Sequence, residues 1–541
     1  QSGSRFYDAD TFTHDHYAQL FTDPFYRNIF SVTFWQAVLV MAVVMVLAYA
    51  CAITIHRFAP RAKTAALVAV MLPKMTNLLV LCYGILILLS NSGLINAPLL
   101  QLGIIDQPIP MFANLFAVVV TEVVIIAPYP ILILVGLFQS VDPDIEKAAQ
   151  SLGARPLQAF MQTTFRITLP GGIAAAFISF IWGFGAYIGP VVMGSPNNYT
   201  AAVQVFTETF ENNHWPLGAA LAVVNLVVIA LLLVCSMVLQ RGVIGYRLLV
   251  IGKSSITNNP ITNNPITNNP ITNNQFDDAT DTVGQWLLRG LGVLTLALLV
   301  VPLAVSLLVA FTPEETIGLP SLGAFSLRWF AEFLTDAQWR TGAWNSLVIG
   351  LLAMGVALVA GTAAALAFER YHLPSASILS LVLLSPLFIP TVVLGMQSLA
   401  WHQRIGLWGK PLSIAMAHAL VAMPLVILIM RNSIRGIDVA LEQAAQNLGA
   451  SPIQAFLKIT LPLAGPSLFV SAFFAFIISI NEFVMAQFLA TPLTQTLSTL
   501  IWPQLRYNLT PLVAAASSML LSVTLAALLV ASRVINLRKL I

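Results

Sequence analysis

Two carboxylates, Glu122 and Glu482, stand inside otherwise apolar runs of this sequence. A charged side chain at the centre of a spanning helix costs roughly 2.5–3.5 kcal/mol by insertion scales, so such residues mark pathways, proton relays or counter-ions. A cation crossing a membrane would find compensating charge at these two positions. Asn481 precedes Glu482 and Phe483 follows it, while Trp182 and Tyr187 lie in a comparable apolar run. These aromatic side chains are suited to gate a path or to stack on an ammonium. Taken singly, each aromatic reads better as packing, so the acids carry the inference.

Other chemistries are not written here. The sequence contains no paired catalytic carboxylates, no cluster with metal-ligand spacing and no nucleophile elbow. A phosphate-cradling loop would read G-x-x-x-x-G-K-[ST] after a strand. Gly252-Lys253-Ser254 is a near miss, but the position five residues earlier is Arg247, and no strand precedes it. We expect no enzyme activity in this chain and no cofactor or metal of its own. Cys51, Cys82 and Cys235 lie in apolar runs without ligand spacing and read as unpaired packing residues.

The elements that must position the acids follow from composition. Of 541 residues, 58% are hydrophobic and 9% charged, and the mean hydropathy is +0.85. Soluble chains carry roughly 25% charged residues, so this is an all-α polytopic membrane protein. A net charge of +3 is too small to argue for nucleic acid. Apolar segments long enough to span, about 20 residues each, read at about 28–55, 65–90, 111–138, 170–193 and 217–240. They resume at about 284–311, 342–368, 376–400, 412–432, 463–490 and 510–532, giving five spans, a break and six more. Basic residues gather in alternate loops: Arg57, Arg61 and Lys63; Lys147, Arg155 and Arg166; Arg241 and Arg247; Arg370; Arg431 and Arg435; Arg533, Arg538 and Lys539. The positive-inside rule then puts the N-terminus outside and the C-terminus in the cytoplasm.

One phrase occurs twice. Residues 146–160, EKAAQSLGARPLQAF, return at 442–456 as EQAAQNLGASPIQAF, with 11 of 15 positions identical. Both copies are followed by Ile-Thr-Leu-Pro and both fall in the cytoplasmic set of loops. The repeat predicts two homologous halves, residues 1–253 and 283–541. Between them, residues 254–282 carry Ile256-Thr-Asn-Asn-Pro260 repeated through Asn274, too polar for a core and read as a flexible cytoplasmic tether. Each phrase predicts a short helix, a turn and a second helix. Asp142 and Asp438 are placed to cap, and Glu146 and Glu442 lie near the positive end of the dipole. Ala148, Ala149, Ala444 and Ala445 leave a smooth surface, Gly153 and Gly449 end the helix, and Pro156 and Pro452 open the next one.

These residues resemble the EAA motif of ATP-binding-cassette importer permeases, the helix pair that seats in the ATPase subunit. The resemblance assigns ATPase coupling to Glu146, Ala148, Ala149, Gly153, Glu442, Ala444, Ala445 and Gly449. It implies two ATPase subunits as partners, which hold the ATP and Mg, and an external solute-binding protein. It also implies multi-pass insertion in a bacterial inner membrane. Phe325-Ser-Leu-Arg-Trp-Phe330, Trp344-Asn-Ser346, Leu384-Ser-Pro386 and the loop Gly406-Leu-Trp-Gly409 resemble the second permease of spermidine/putrescine importers. Residues 157–173 and Trp215-Pro-Leu-Gly-Ala219 resemble the first, so the chain is similar to both permeases fused.

Two departures stand out. Those permeases begin with a span ahead of the segment matching Phe25 to Ile55, where this sequence shows a short polar stretch. They also tend to carry an acid where this chain has Gly185-Ala186-Tyr187. The second departure leaves ferric ion, thiamine or another small solute open. A secondary transporter driven by an ion gradient would account for repeats and intramembrane acids, but not for two matching cytoplasmic helical units. The resemblance further implies that outer-loop residues, among them Asn96, Glu208, Glu211 and Trp502, meet the binding protein.

Overall fold

The computed structural model describes residues 13–58, 60–256, 275–315, 320, 324–371, 373–507 and 510–534. The N-terminal part contains α1 (Asp15–Thr22), α2 (Pro24–His56), α3 (Pro60–Met75), α4 (Leu78–Leu89), α5 (Asn96–Gln101), α6 (Leu115–Ile126) and α7 (Pro128–Gln139). It continues through α8 (Pro143–Ser151), α9 (Pro156–Gln162), α10 (Thr164–Phe184), α11 (Ile188–Met193), α12 (Ala201–Phe206) and α13 (Trp215–Ile256). The C-terminal part contains α14 (Gln275–Val309), α15 (Arg328–Thr335), α16 (Ala337–Arg370), α17 (Ala376–Leu384), α18 (Thr391–Arg404) and α19 (Pro411–Arg435). It ends with α20 (Val439–Asn447), α21 (Pro452–Ala455), α22 (Leu461–Leu463), α23 (Gly465–Asn481), α24 (Val484–Leu489), α25 (Leu497–Tyr507) and α26 (Pro511–Val534).

All eleven apolar segments are helical, and the protein is an all-α polytopic membrane protein. Among the described residues, six helices are long and apolar enough to cross a membrane alone. Others read as continuous spans are broken. The chain turns by 104° between α3 and α4, by 45° between α6 and α7, and by 102° between α17 and α18. Hydrophobicity sets the length of a span, but proline and asparagine set its breaks. Pro73 closes α3, and the Asn77 side chain caps α4 by accepting from the Leu79 amide at 2.9 Å. The tether also needs correction: α13 runs through Ile256 and α14 begins at Gln275, so helix occupies both ends of the segment read as flexible. Residues 257–274, with most of the Asn-Pro repeat, lie outside the described residues.

Five buried hydroxyls are satisfied within their own helices, as a membrane interior favours. Thr33, Thr54, Thr121, Thr168 and Ser179 each donate to the carbonyl four residues back. One apolar core joins the two parts: Leu79 and Tyr83 of α4 and Val203 of α12 share a cluster with Phe483, Leu489 and Val513. Ser306 of α14 donates to the Val80 carbonyl of α4 at 3.1 Å. Cys51, Cys82 and Cys235 are free thiols, the first two buried.

Candidate functional site

The repeated phrase folds as its residues require. Asp142 and Asp438 cap α8 and α20 by accepting the amides of Asp144 and Ala440, each at 2.9 Å. The Lys147 ammonium, 2.8 Å from Asp144, holds that exposed carboxyl below its usual range. Gly153 and Gly449 take φ of +93° and +95°, where a side chain is strained, although an added Cβ would meet nothing within 4 Å. The glycines therefore serve the backbone turn. Ser451 and Gln454 form a reciprocal capping box at the start of α21.

Glu146 and Glu442 turn inward. Glu146 accepts from Thr164 at 3.1 Å and lies 3.7 Å from Arg57 at the end of α2. Glu442 accepts from Thr460 at 2.6 Å and from Arg370 at the end of α16 at 2.9 Å. The same threesome, Glu with Arg and a Thr 18 residues on, thus recurs in both units, tighter in the second. Arg370 also donates to the Ile437 carbonyl at 3.1 Å. Nearby, Glu369 is gripped by Arg431 at 2.8 Å and Arg435 at 3.0 Å. The outward faces belong to Ala148 and Ala444, both exposed, and to Leu152 and Leu448, each 90% exposed. Sequence reasoning passed over the two leucines. Their identical place before the turn glycine was the available signal.

The second site is a cavity of about 380 Å³ between the N- and C-terminal parts. All six residues singled out for a pathway, Glu122, Trp182, Tyr187, Asn481, Glu482 and Phe483, line it. Glu122 accepts from the Gly189 amide, and a Cβ on Gly189 would collide with its carboxylate. Glu482 lies at a helix break rather than within a span, between α23 and α24, and accepts from the Met485 amide at 2.9 Å. Tyr187 and Phe483 are buried, and both pack on Trp502, with ring centroids 6.2 and 5.0 Å away. They wall the cavity.

Broken helices from the two parts close one another's open ends here. Asn77 donates to the Asn481 carbonyl at 3.3 Å and to Ser498 Oγ at 2.7 Å, and Asn481 donates to the Met75 carbonyl at 3.1 Å. Asn481 Oδ1 has no hydrogen-bond partner. A Cβ on Gly185 would stand 2.9 Å from Pro390, which explains the small residue where an acid was the expectation. One lining residue went unnoticed in the sequence. Lys74, in the last turn of α3, holds its ammonium 4.1 Å from the Tyr129 ring centroid and 4.5 Å from that of Trp182. A lone lysine inside the apolar run 65–90 was the missed signal.

Glu208 is 3% exposed, so it is no loop-surface residue. It accepts from Tyr26 at 2.9 Å, Gln204 at 2.7 Å and Asn212 at 3.1 Å, and lies 3.2 Å from His214. Asn96 and Trp502 are buried as well, whereas Glu211 is partly exposed and pairs with Arg506 at 2.8 Å.

Residues 355–536 match the model of the family described as binding-protein-dependent transport system inner membrane component. The match lies in the C-terminal part of the chain, and the helix–Gly–Pro–helix unit inside it recurs in the N-terminal part. The chain is similar to the spermidine/putrescine transport system permease protein PotB of Escherichia coli K12, 29% identical over 222 residues, or 41% of this chain and 80% of that protein. It is also similar to the putrescine transport system permease protein PotI of the same organism, 29% identical over 205 residues, or 36% of this chain and 73% of that protein. Among solved structures, a bacterial ABC transporter involved in import of the acidic polysaccharide alginate matches at 15% identity and a TM-score of 0.37, covering 48% of this chain and 97% of that one.

Proposed function

We propose that this chain is the transmembrane permease of a binding-protein-dependent importer that takes up a polyamine, spermidine or putrescine, driven by two ATPase subunits that bind ATP and Mg. The cavity carries the reading: Glu122 and Glu482 line it, and the unpartnered Asn481 Oδ1 offers a further acceptor to an ammonium donor. The names of the similar permeases point the same way. The docking units face the cytoplasm, each seating α8 or α20 on one ATPase. Leu152 and Leu448 enter apolar pockets, while the alanines permit close approach. Because Glu146 and Glu442 tie these helices to α2 and α16, movement of the ATPases is passed to the spans. The residues before and after 257–274 form two homologous halves that rock between inward- and outward-open states. ATP and the loaded binding protein each favour one state by differential contacts.

The test is ATPase activity of the reconstituted permease–ATPase complex with its binding protein. Stimulation by spermidine or putrescine supports the reading. A response to the loaded binding protein only with ferric ion or thiamine would keep the class and change the solute.

A further inference from the structure

The cavity that would pass an amine already contains one. The Lys74 side chain ends as a four-carbon primary ammonium, chemically one end of a linear alkyl diamine. Its ammonium faces Tyr129 and Trp182, whose centroids are 4.4 Å apart in an edge-on pair. Two aromatic faces at 4.1 and 4.5 Å make a cation cage. The cage residues, Lys74, Glu122 and Glu482 all line the same cavity. Lys74 sits two residues before the break at Thr76-Asn77, where the chain turns by 104°. That break is held to the C-terminal part through Asn77 and Asn481, so the position of the lysine is tied to the arrangement of the two parts.

We propose that Lys74 is a tethered competitor of the transported solute: its ammonium occupies the Tyr129–Trp182 cage, and a primary alkylammonium must displace it to pass. This rests on the cationic-solute reading and extends it in two ways. The cage selects primary ammonium groups carried on a methylene chain, the species Lys74 itself presents. The lysine also fills the path when no solute is present, which suppresses leakage of smaller cations. Displacing it costs part of the solute's binding, since a site available only for a fraction of the time binds more weakly by that fraction.

The test uses the full chain in complex with its ATPase subunits and compares wild type with Lys74→Ala and Lys74→Arg. The probe is n-propylammonium chloride against equal sodium chloride, read as the melting temperature of the complex. A ligand that binds only the folded state raises that temperature. The expected result is stabilisation of Lys74→Ala by propylammonium at about tenfold lower concentration than wild type or Lys74→Arg requires. In uptake, the KM of Lys74→Ala for putrescine should fall about tenfold, the scale of a desolvated cation–π cage. Equal melting temperatures in the two salts for Lys74→Ala, or an unchanged or higher KM, would overturn the proposal. Should Lys74→Ala not assemble, Tyr129→Leu keeps the charge and opens the cage. Because the cage receives lysine and solute alike, the readout here is leakage: sodium flux through the complex should rise as Lys74 is released, and an unchanged flux overturns the proposal. Propylammonium binding does not depend on which amine is carried, so a wild type indifferent to both polyamines would remove the polyamine assignment while this readout still decides the role of Lys74.

Discussion

Glu146 and Glu442 are not held equally, and the difference can be measured. Around Glu442, the Arg370 and Glu442 side chains are 9% and 13% exposed and meet at 2.9 Å, with Thr460 at 2.6 Å. Removing the carboxylate leaves a nearly buried guanidinium with only the Ile437 carbonyl. Breaking a fully buried pair costs about 3–5 kcal/mol, and the residual exposure brings this to about 2–3 kcal/mol. Around Glu146, Arg57 is 34% exposed and 3.7 Å away. That contact is worth about 0.5 kcal/mol, and the Thr164 hydrogen bond adds about 1 kcal/mol. The Thr bonds cancel between the sites, so Glu442→Ala should loosen its helix by about 2 kcal/mol more than Glu146→Ala, which is roughly thirtyfold in an equilibrium constant. The assay is titration of ATPase subunit onto the reconstituted permease, with a double-mutant cycle of Glu442→Met and Arg370→Met to isolate the pair. Equal losses for the two alanine variants, or a larger loss for Glu146→Ala, would refute the reasoning.

Gly449→Val should cost at least about 1 kcal/mol through backbone strain alone, since the site has open space for a side chain. Lower ATPase co-purification with normal membrane insertion is the expected readout, and Gly153→Val should match it. Glu208 gives a pH dependence. Burial pushes its carboxyl up, but hydrogen bonds from Asn212, Gln204, Tyr26 and His214 outweigh this and hold it below the usual range. Its stabilisation is thus fully present above the ordinary carboxylate value of about 4.3 and is lost as pH falls through the lowered folded value. Thermal unfolding between pH 3 and 6 should show this slope in wild type and not in Glu208→Gln. Glu482→Gln should slow uptake of a cationic solute while ATPase docking is unchanged. Unaltered uptake kinetics would take Glu482 out of the pathway.

Much of this architecture was legible because apolar runs and helix punctuation are local signals. Asp142, Gly153, Asp438, Ser451 and Gly449 all occupy the cap and turn positions their chemistry suggested. The breaks at 75–77 and 385–390 were not legible, since hydropathy averages over a proline and an asparagine without registering a 104° or 102° turn. The inward grip on Glu442 depends on Arg370, 72 residues away, and no local pattern reports that distance. The cavity joins residues from positions 73 to 484. Its acids stood out in sequence as isolated charges, yet Lys74 is equally isolated. It was passed over because a run flanked by Arg61 and Lys63 draws attention to its edges.

Polyamine import is read directly as ATP-dependent accumulation of radiolabelled spermidine or putrescine in proteoliposomes containing this protein, its ATPase subunits and the binding protein. Accumulation should need ATP and the binding protein and be lost in the Glu146→Ala/Glu442→Ala double variant. Accumulation that persists without ATP or ATPase and follows an ion gradient would contradict ATP-driven import.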